Sequence, residues 1–116
     1  MSYASVEEVE LLSFFEVEPR RLDPNIPWPY NEFTYRVELL PYLVEFRIWP
    51  AHKDVSLSVS VGGDNLYAFS ALSVTDIRYH KDSNRETLEI VVSDRDSIWV
   101  RLRPSLLITQ DASGGA

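Results

Sequence analysis

The sequence predicts an all-β fold, an antiparallel sandwich or small barrel of about seven or eight short strands with little or no helix. Residues 55–61 alternate four aliphatic side chains with three serines. This period of two is typical of a half-buried strand, and no helical period collects the aliphatic residues on one side. Turn-forming residues recur between similar segments at intervals of about 8 to 12 residues, as they do in sandwiches and barrels.

The first predicted strand covers residues 8–18, where apolar residues alternate with glutamates. Its acidic face would carry Glu8, Glu10, Glu16 and Glu18. A helix over residues 5–13 is the alternative, because Ser5 and Glu8 have the spacing of a capping box and Val9, Leu12 and Phe15 would suit a helix. Pro19 ends either element.

Residues 20–31 are predicted to follow an irregular, extended path, since Pro24, Pro27 and Pro29 exclude a central strand. Strands are then predicted at 32–40 and 43–49, with a tight turn at Pro41-Tyr42. That turn would pair Leu39 with Val44, Val37 with Phe46, Glu38 with Glu45 and Arg36 with Arg47. The two like-charge pairs are unfavourable, so one continuous bulged strand remains an alternative.

The second half reads as a series of hairpins. The turn-forming residues 62–65 join the strand at 55–61 to one at 66–69, and further strands are predicted at 73–79, 86–92 and 97–103. The last two strands would pair Leu88 with Leu102, Ile90 with Val100 and Glu89 with Arg101. Residues 105–109 would add a short edge strand. We therefore predict one β domain over residues 1–109 and a flexible tail over 110–116.

The charge distribution limits the classes of partner. The net charge is −7, and residues 1–18 hold five glutamates and no basic residue, which leaves 18 − 5 = 13 acids and 11 bases elsewhere. This surface repels phosphate backbones, so nucleic acid is not expected as the main partner. An acidic surface can attract a basic protein. No stretch approaches the roughly 18 apolar residues of a membrane span, so we expect a cytoplasmic protein with no membrane partner.

Motifs for catalysis or metal binding are weak. The chain has no cysteine, which excludes thiolate catalysis and cysteine-ligated zinc. Its two histidines, His52 and His80, each begin a His-Lys-Asp string that falls in a predicted turn. Each string offers one nitrogen and one oxygen ligand, fewer than the three protein ligands of a catalytic zinc. We predict no catalytic residue, metal ligand or cofactor, and keep a hydrolase that uses His52 or His80 as the weakest hypothesis.

Aromatic and arginine side chains provide the candidate binding surfaces, because these residues dominate protein interfaces. Trp99, Arg101 and Arg103 alternate away from the predicted core. With the acidic first strand, they favour a non-enzymatic interaction domain, either of the inhibitor or immunity type or an assembly subunit, that binds a protein partner or a second copy as a homodimer. The alternative is a ligand-binding barrel whose pocket is lined by Trp28, Tyr30 and Trp49.

Overall fold

The computed structural model describes residues 3–111, and these form a β-sandwich with one α-helix. The strands are β1 (Arg20–Arg21), β2 (Phe33–Leu39), β3 (Tyr42–Trp49), β4 (Asp54–Val61), β5 (Asp64–Ala71), β6 (Asp76–Asp82), β7 (Arg85–Val91), β8 (Ser97–Arg101) and β9 (Leu107–Asp111). Sheet 1 has the order β1-β2-β3-β4-β5 and sheet 2 the order β6-β7-β8-β9. Within residues 3–111 no strand of one sheet pairs with the other sheet, so the all-β sandwich is confirmed and the barrel alternative is wrong.

The first element is helix α1 (Glu8–Phe15), so the predicted strand over residues 8–18 is wrong. The buried residues Leu11, Phe14 and Phe15 have helical spacing, whereas Val9 is exposed. The helical alternative is therefore correct in type, but the helix starts and ends later than the predicted residues 5–13, and its buried face and its cap differ from those predicted. The cap residue is Glu7, whose backbone N–H donates to the Glu10 carboxylate at 2.9 Å, because the Ser5 hydroxyl donates to Asp76 instead.

Helix α1 is fixed to both sheets. The Phe15 ring stacks on Tyr35 and Phe46 of sheet 1, with centroid distances of 4.7 and 5.2 Å. Beyond the end of β8, the Arg103 guanidinium donates to the carbonyl oxygens of Phe14 at 2.7 Å and of Phe15 at 3.2 Å. These carbonyls belong to the last turn, where a helix has no internal donors left. The helix thus contributes aromatic side chains to the core and is held at its C-terminal end.

The proline-containing segment is ordered by one buried amide. It includes a 3-10 turn, Trp28–Tyr30, and ends at Asn31, which is 1% exposed. The Asn31 amide nitrogen donates to the carbonyl oxygens of Asp23 at 2.6 Å and Ile26 at 3.2 Å. Its amide oxygen accepts from the N–H groups of Asp23 and Glu32 at 3.2 and 2.8 Å. Asn31 therefore provides bonds that this segment does not obtain from a sheet.

The β2–β3 hairpin is present, but its predicted register is wrong by two residues. Val37 lies opposite Val44 and Arg36 opposite Glu45, because the turn is Leu40-Pro41 rather than Pro41-Tyr42. The observed register removes both predicted like-charge pairs. Because β2 and β3 pair as two separate strands, the alternative of one continuous bulged strand is wrong. Arg36 and Glu45 instead form an ion pair at 3.7 Å.

The hairpin of β4 and β5 is confirmed. The serine strand pairs antiparallel with β5, and Val55, Leu57 and Val59 are buried as the alternation predicts. The turn residues Gly62 and Gly63 have φ values of +58° and +88°. Positive φ at both central positions is the geometry of the two-residue hairpin turn that favours glycine.

The structure of sheet 2 differs from the prediction in the register of β7 with β8 and in the end of β6. Leu88 lies opposite Val100 and Glu89 opposite Trp99, two residues from the predicted pairing, because the N–H groups of Val92 and Ser93 close the turn on the Asp96 carbonyl. His80 lies within β6 and not in a turn, as β6 continues to Asp82.

At the C-terminal end of sheet 2, β9 reaches Asp111 and so enters the segment 110–116 that was predicted as a tail. Residues 112–116 lie outside the described residues.

Candidate partner-binding surfaces

The four glutamates predicted as one acidic face are not aligned, because the helix turns their side chains in different directions. The Glu8 carboxylate binds Arg21 at 3.0 Å, and Glu10 caps the helix. Glu16 follows the helix with a left-handed φ of 59°, and its carboxylate lies 3.5 Å from Arg103. Glu18 is exposed and borders a shallow depression with Arg20 and Arg47. The N-terminal region remains acidic, but three of the four carboxylates are engaged within the chain.

The outer face of sheet 2 carries Trp99 and Arg101, as predicted from the alternation of β8. Arg103 does not join them, since its guanidinium binds the helix carbonyls. Trp99 and Arg101 line a depression of about 230 Å³. We call the residues around this depression the Trp99 face: Arg85, Thr87, Trp99, Arg101, Leu107 and Thr109.

A buried carboxylate lies beside Trp99. Glu89 is opposite Trp99 in the β7–β8 ladder, and it is only 9% exposed. Its carboxylate is 2.9 Å from His80 Nε2 and accepts a hydrogen bond from the Ser97 hydroxyl at 3.0 Å. The His80 ring lies 5.3 Å from the Trp99 ring. These contacts restrict the side chains around Trp99, so the Trp99 face is ordered before any partner binds.

The polar cluster around Glu89 is not arranged as a nucleophile with its base. In the serine triad, an imidazole accepts the proton of the serine hydroxyl. Here Ser97 donates to the Glu89 carboxylate, and the imidazole of His80 contacts the same carboxylate. The histidine side chain is also 47% exposed on an open face. The arrangement can position Trp99, and its contacts are not those of a serine triad.

Two further carboxylates of sheet 2 are held by several hydrogen bonds. Burial raises the pKa of Asp76, but bonds from Ser5, Ile77 and Arg78 outweigh this and lower it. For Glu86, burial also raises the pKa, and hydrogen bonds from Ser13 and Tyr79 lower it further than burial raises it. Both carboxylates bind the N-terminal part of the chain, so they stabilise the fold.

The three aromatic residues of the predicted ligand pocket lie in different environments. Trp28 packs on Phe33 with a centroid distance of 4.5 Å, and Tyr30 is 56% exposed. The Trp49 ring packs against the His52 ring at a centroid distance of 4.1 Å and borders a depression of about 380 Å³ on the outer face of sheet 1. The residues around that depression include Arg47 and Asp54 but neither Trp28 nor Tyr30.

The histidines lie apart in sequence and structure. His52 is in the turn between β3 and β4, whereas His80 lies in β6. Across residues 3–111, no group of three or more histidine, cysteine, aspartate or glutamate side chains is arranged to hold a metal ion. The helices of this region are also too short to cross a bilayer.

No protein-family model and no curated protein sequence matches the chain. One solved structure does. The fold is similar to that of a chain in a contact-dependent growth inhibition toxin–immunity protein complex from Klebsiella pneumoniae 342. The TM-score is 0.75 with 21% sequence identity, and the match covers 96% of this chain and 98% of that chain. At this identity the likeness establishes a shared fold over nearly the whole of both chains.

Sequence reasoning placed Trp99 and Arg101 on the outer face and Glu89 beside Arg101, but it missed His80 and Arg85 as their neighbours. The alternation of β7 placed Glu89 on the outer face, and this signal was available. The predicted register, however, put Glu89 opposite Arg101 rather than Trp99. Because His80 was assigned to a turn, the sequence did not predict the contact of its imidazole with the Glu89 carboxylate.

Proposed function

We propose that this chain is a non-enzymatic protein-binding domain of the immunity type, which binds a toxin domain and blocks it. The likeness in fold to a chain of a toxin–immunity protein complex supports the proposal. The net charge of −7 supports it as well, because an acidic protein can bind and occlude a basic surface of its partner. A cytoplasmic location is part of the same proposal.

The observation that carries the proposal is the Trp99 face. Tryptophan and arginine are the residues most enriched at interface hot spots, and Trp99 and Arg101 border one depression. Arg101 donates to the carbonyl and hydroxyl oxygens of Ser105, which orients its guanidinium without neutralising its charge. Trp99 is held beside the buried Glu89. A preorganised aromatic anchor with a charged neighbour loses little conformational entropy on binding.

We propose the acidic N-terminal region as an alternative interface, separate from the Trp99 face. Glu18 is exposed there, whereas Glu8 and Glu16 are engaged in ion pairs with Arg21 and Arg103, and Glu10 is engaged in the helix cap. Exposed carboxylates of this kind accelerate association with a basic partner and make it dependent on salt. Glu18→Gln should therefore slow association at low ionic strength and have little effect at high ionic strength.

The first test of the proposal measures the growth of a bacterial host. Open reading frames that neighbour the gene are expressed in a bacterial host, with and without this chain, to find a product that arrests growth. The proposal expects this chain to restore growth and to form a stable complex with that product. Growth arrest caused by this chain itself would reverse the assignment and make it the toxin. An inhibitory neighbour that neither binds the chain nor is relieved by it would contradict the proposal.

The binding surface is tested by a matched pair of double variants. Trp99→Ala with Arg101→Ala changes the outer face of sheet 2, and Arg47→Ala with Trp49→Ala changes the same residue types, two positions apart, on sheet 1. We expect the sheet 2 variant to weaken toxin binding by roughly 30-fold or more, about 2 kcal/mol, in calorimetric titration. The sheet 1 variant should bind as the wild type does. The reverse result would move the interface to sheet 1.

A further inference from the structure

The depression on the Trp99 face is basic, although the chain as a whole has a net charge of −7. Two of its six lining residues are charged, and both are arginines, Arg85 and Arg101. The other four are Thr87, Trp99, Leu107 and Thr109. The described rim of this depression, about 230 Å³ in volume, therefore carries two guanidinium groups and no carboxylate, and it should attract an anionic group.

The guanidinium of Arg101 is oriented but only partly used. Its Nε donates to the Ser105 carbonyl oxygen at 3.1 Å, and its Nη2 donates to the Ser105 hydroxyl at 3.0 Å. A guanidinium has five N–H donors, so three remain. They include the edge between the two terminal nitrogens, which can donate two parallel hydrogen bonds to a carboxylate. Because Ser105 already orients the group, little further side-chain freedom is lost on binding.

The guanidinium of Arg85 is also available to an incoming group. Asp82 lies opposite Arg85 in the β6–β7 ladder, but no carboxylate among residues 3–111 forms an ion pair with this arginine. The acid nearest to Trp99 in the sheet, Glu89, is buried and bound to His80 and Ser97. An anionic group that enters the depression therefore meets two positive charges that no described carboxylate neutralises.

The apolar part of the lining indicates which kind of anion fits. Trp99 and Leu107 provide an aromatic and an aliphatic surface beside the two arginines. An aspartate or glutamate side chain matches this combination, because its methylene groups can pack on the apolar residues while its carboxylate accepts hydrogen bonds from arginine. A nucleic acid fits less well, since a chain of net charge −7 repels a phosphate backbone.

We infer that the depression on the Trp99 face is a carboxylate-binding site, and that its occupant is an aspartate or glutamate side chain of the protein partner. The partner rests on the proposed function, whereas the carboxylate-binding site is a property of this chain alone. Arg85 and Arg101 donate to the carboxylate, and Trp99 and Leu107 contact the methylene groups. The partner thus needs one acidic side chain at this position, whatever the charge of its remaining surface.

Titration of the isolated full chain, followed by nuclear magnetic resonance of the tryptophan indole N–H groups, tests the site without a partner. The probe is N-acetylglutamate amide, whose only charge is the side-chain carboxylate, and N-acetylglutamine amide is the uncharged control. The glutamate probe should shift the Trp99 resonance to saturation, and the glutamine probe should not. The Trp49 resonance is an internal control that should not move, because the one arginine beside it, Arg47, is accompanied by Glu32 and Asp54. Trp99→Phe assigns the signal.

Single substitutions locate the bound carboxylate. Arg85→Gln and Arg101→Gln should each lower the affinity for the glutamate probe by about 10-fold, because each removes a charged donor. Arg47→Gln, on the outer face of sheet 1, should leave this affinity unchanged. Asp82→Asn should raise it, because the variant removes the negative charge opposite Arg85. Circular dichroism checks that the variants are folded, and the two arginine variants test the site independently of each other.

The partner recovered from the growth test identifies the occupant. The double variant Arg85→Glu with Arg101→Glu should lose binding of this partner. A library of single substitutions of the partner, displayed on yeast, is then sorted for restored binding to the double variant. The recovered clones should replace an aspartate or glutamate of the partner by lysine or arginine, since reversing the charge on both sides restores the attraction.

Four results would overturn the inference. A Trp99 resonance that does not shift, or that shifts equally with both probes, excludes a carboxylate site. Unchanged affinity in both arginine variants places the probe elsewhere. A single-stranded oligothymidylate that shifts the resonance at physiological salt and competes with the probe assigns the face to nucleic acid. Recovered clones that change no acidic residue exclude the proposed occupant.

The outcomes also separate this inference from the proposed function. If the glutamate probe binds as expected but no neighbouring product is neutralised, the proposed function fails and the carboxylate-binding site stands. If the chain neutralises a neighbouring product and the probe does not bind, the proposed function stands and the carboxylate-binding site is wrong.

Discussion

The two sheets bury polar groups in different ways. In sheet 2, the buried carboxylates Asp76 and Glu89 each have hydrogen-bond partners from other elements or strands. In sheet 1, the outer face of β4 carries small, half-buried serines, and the hydroxyl of Tyr35 is buried with no hydrogen-bond partner among the described residues. Sheet 2 thus relies on polar contacts for packing and for orienting Trp99, whereas sheet 1 relies on apolar packing. We therefore expect the substitution of polar residues to lower the free energy of unfolding more in sheet 2 than in sheet 1.

The largest expected difference in stability is between variants of two glutamates, Glu89 on the outer face of sheet 2 and Glu45 on the outer face of sheet 1. Glu89→Ala should lower the free energy of unfolding by about 2 kcal/mol, because it removes a buried acceptor and leaves Ser97 and His80 without it. Glu45→Ala, at an exposed ion pair with Arg36, should cost under about 0.5 kcal/mol. Urea denaturation of both variants gives the comparison. Equal losses would show that the two outer faces do not differ energetically.

The next effect concerns pH. Hydrogen bonds hold the pKa of Asp76 below its unfolded value of about 4, so its carboxylate stabilises the fold above that value. This stabilisation is lost as the pH falls through the lower, folded pKa. Asp76→Asn should cost about 1.5 kcal/mol at pH 7 and flatten the acid side of the stability curve. Denaturation measured from pH 7 to pH 2 gives both curves, and the control Asp64→Asn, at an exposed site, should change stability at pH 7 by less than about 0.5 kcal/mol.

A smaller difference in stability is expected between variants of Arg103 and Arg101, which were predicted to share one surface. Arg103→Ala should lower the free energy of unfolding by about 1 kcal/mol, because the helix loses donors at its C-terminal carbonyls. Arg101→Ala should change stability by less than about 0.5 kcal/mol and, under the proposed function, weaken binding of the partner instead. Thermal unfolding and calorimetric binding of both variants measure the two quantities. If Arg103→Ala is as stable as the wild type, the arginine does not anchor the helix.

The smallest effect compares two tyrosine hydroxyls. Tyr35→Phe should leave stability unchanged or raise it by up to about 1 kcal/mol, because it removes a buried hydroxyl that has no partner among the described residues. Tyr79→Phe removes a hydroxyl that donates to Glu86 and should destabilise by about 0.5 to 1 kcal/mol. Chemical denaturation under identical conditions compares the two. A loss with Tyr35→Phe would mean that the hydroxyl contributes to packing.

The strands were predictable because alternation is a local property. Residues 55–61 and 86–91 lie in strands with the predicted faces inward, since a period of two is visible within one segment. Register was less predictable. A shift of two residues leaves every side chain on the same face, so the hydrophobic pattern does not distinguish the two pairings. Turn geometry decides between them, as the turn at Leu40-Pro41 shows.

Helix α1 could not be predicted for a different reason. Its sequence fits both the helical and the strand period. Contacts with distant residues favour the helix, because the Phe15 ring stacks on Tyr35 and Phe46 and the Arg103 guanidinium donates to a carbonyl at the helix end. The candidate surface was predictable only in part for the same reason. Alternation identified Trp99 and Arg101, but the contact of His80 with Glu89 depends on where β6 ends.

The long-range anchoring of the first fifteen residues has a consequence for synthesis. Ser5 binds Asp76, Ser13 binds Glu86, and the end of the helix binds Arg103, at sequence separations of 71, 73 and 89 residues. The amino-terminal end therefore leaves the ribosome long before its binding sites have been translated. Sheet 1 can assemble first, since all its strands precede residue 72. The helix reaches its final position only after the last quarter of the chain has emerged, so nascent chains would expose an apolar segment for chaperones to bind.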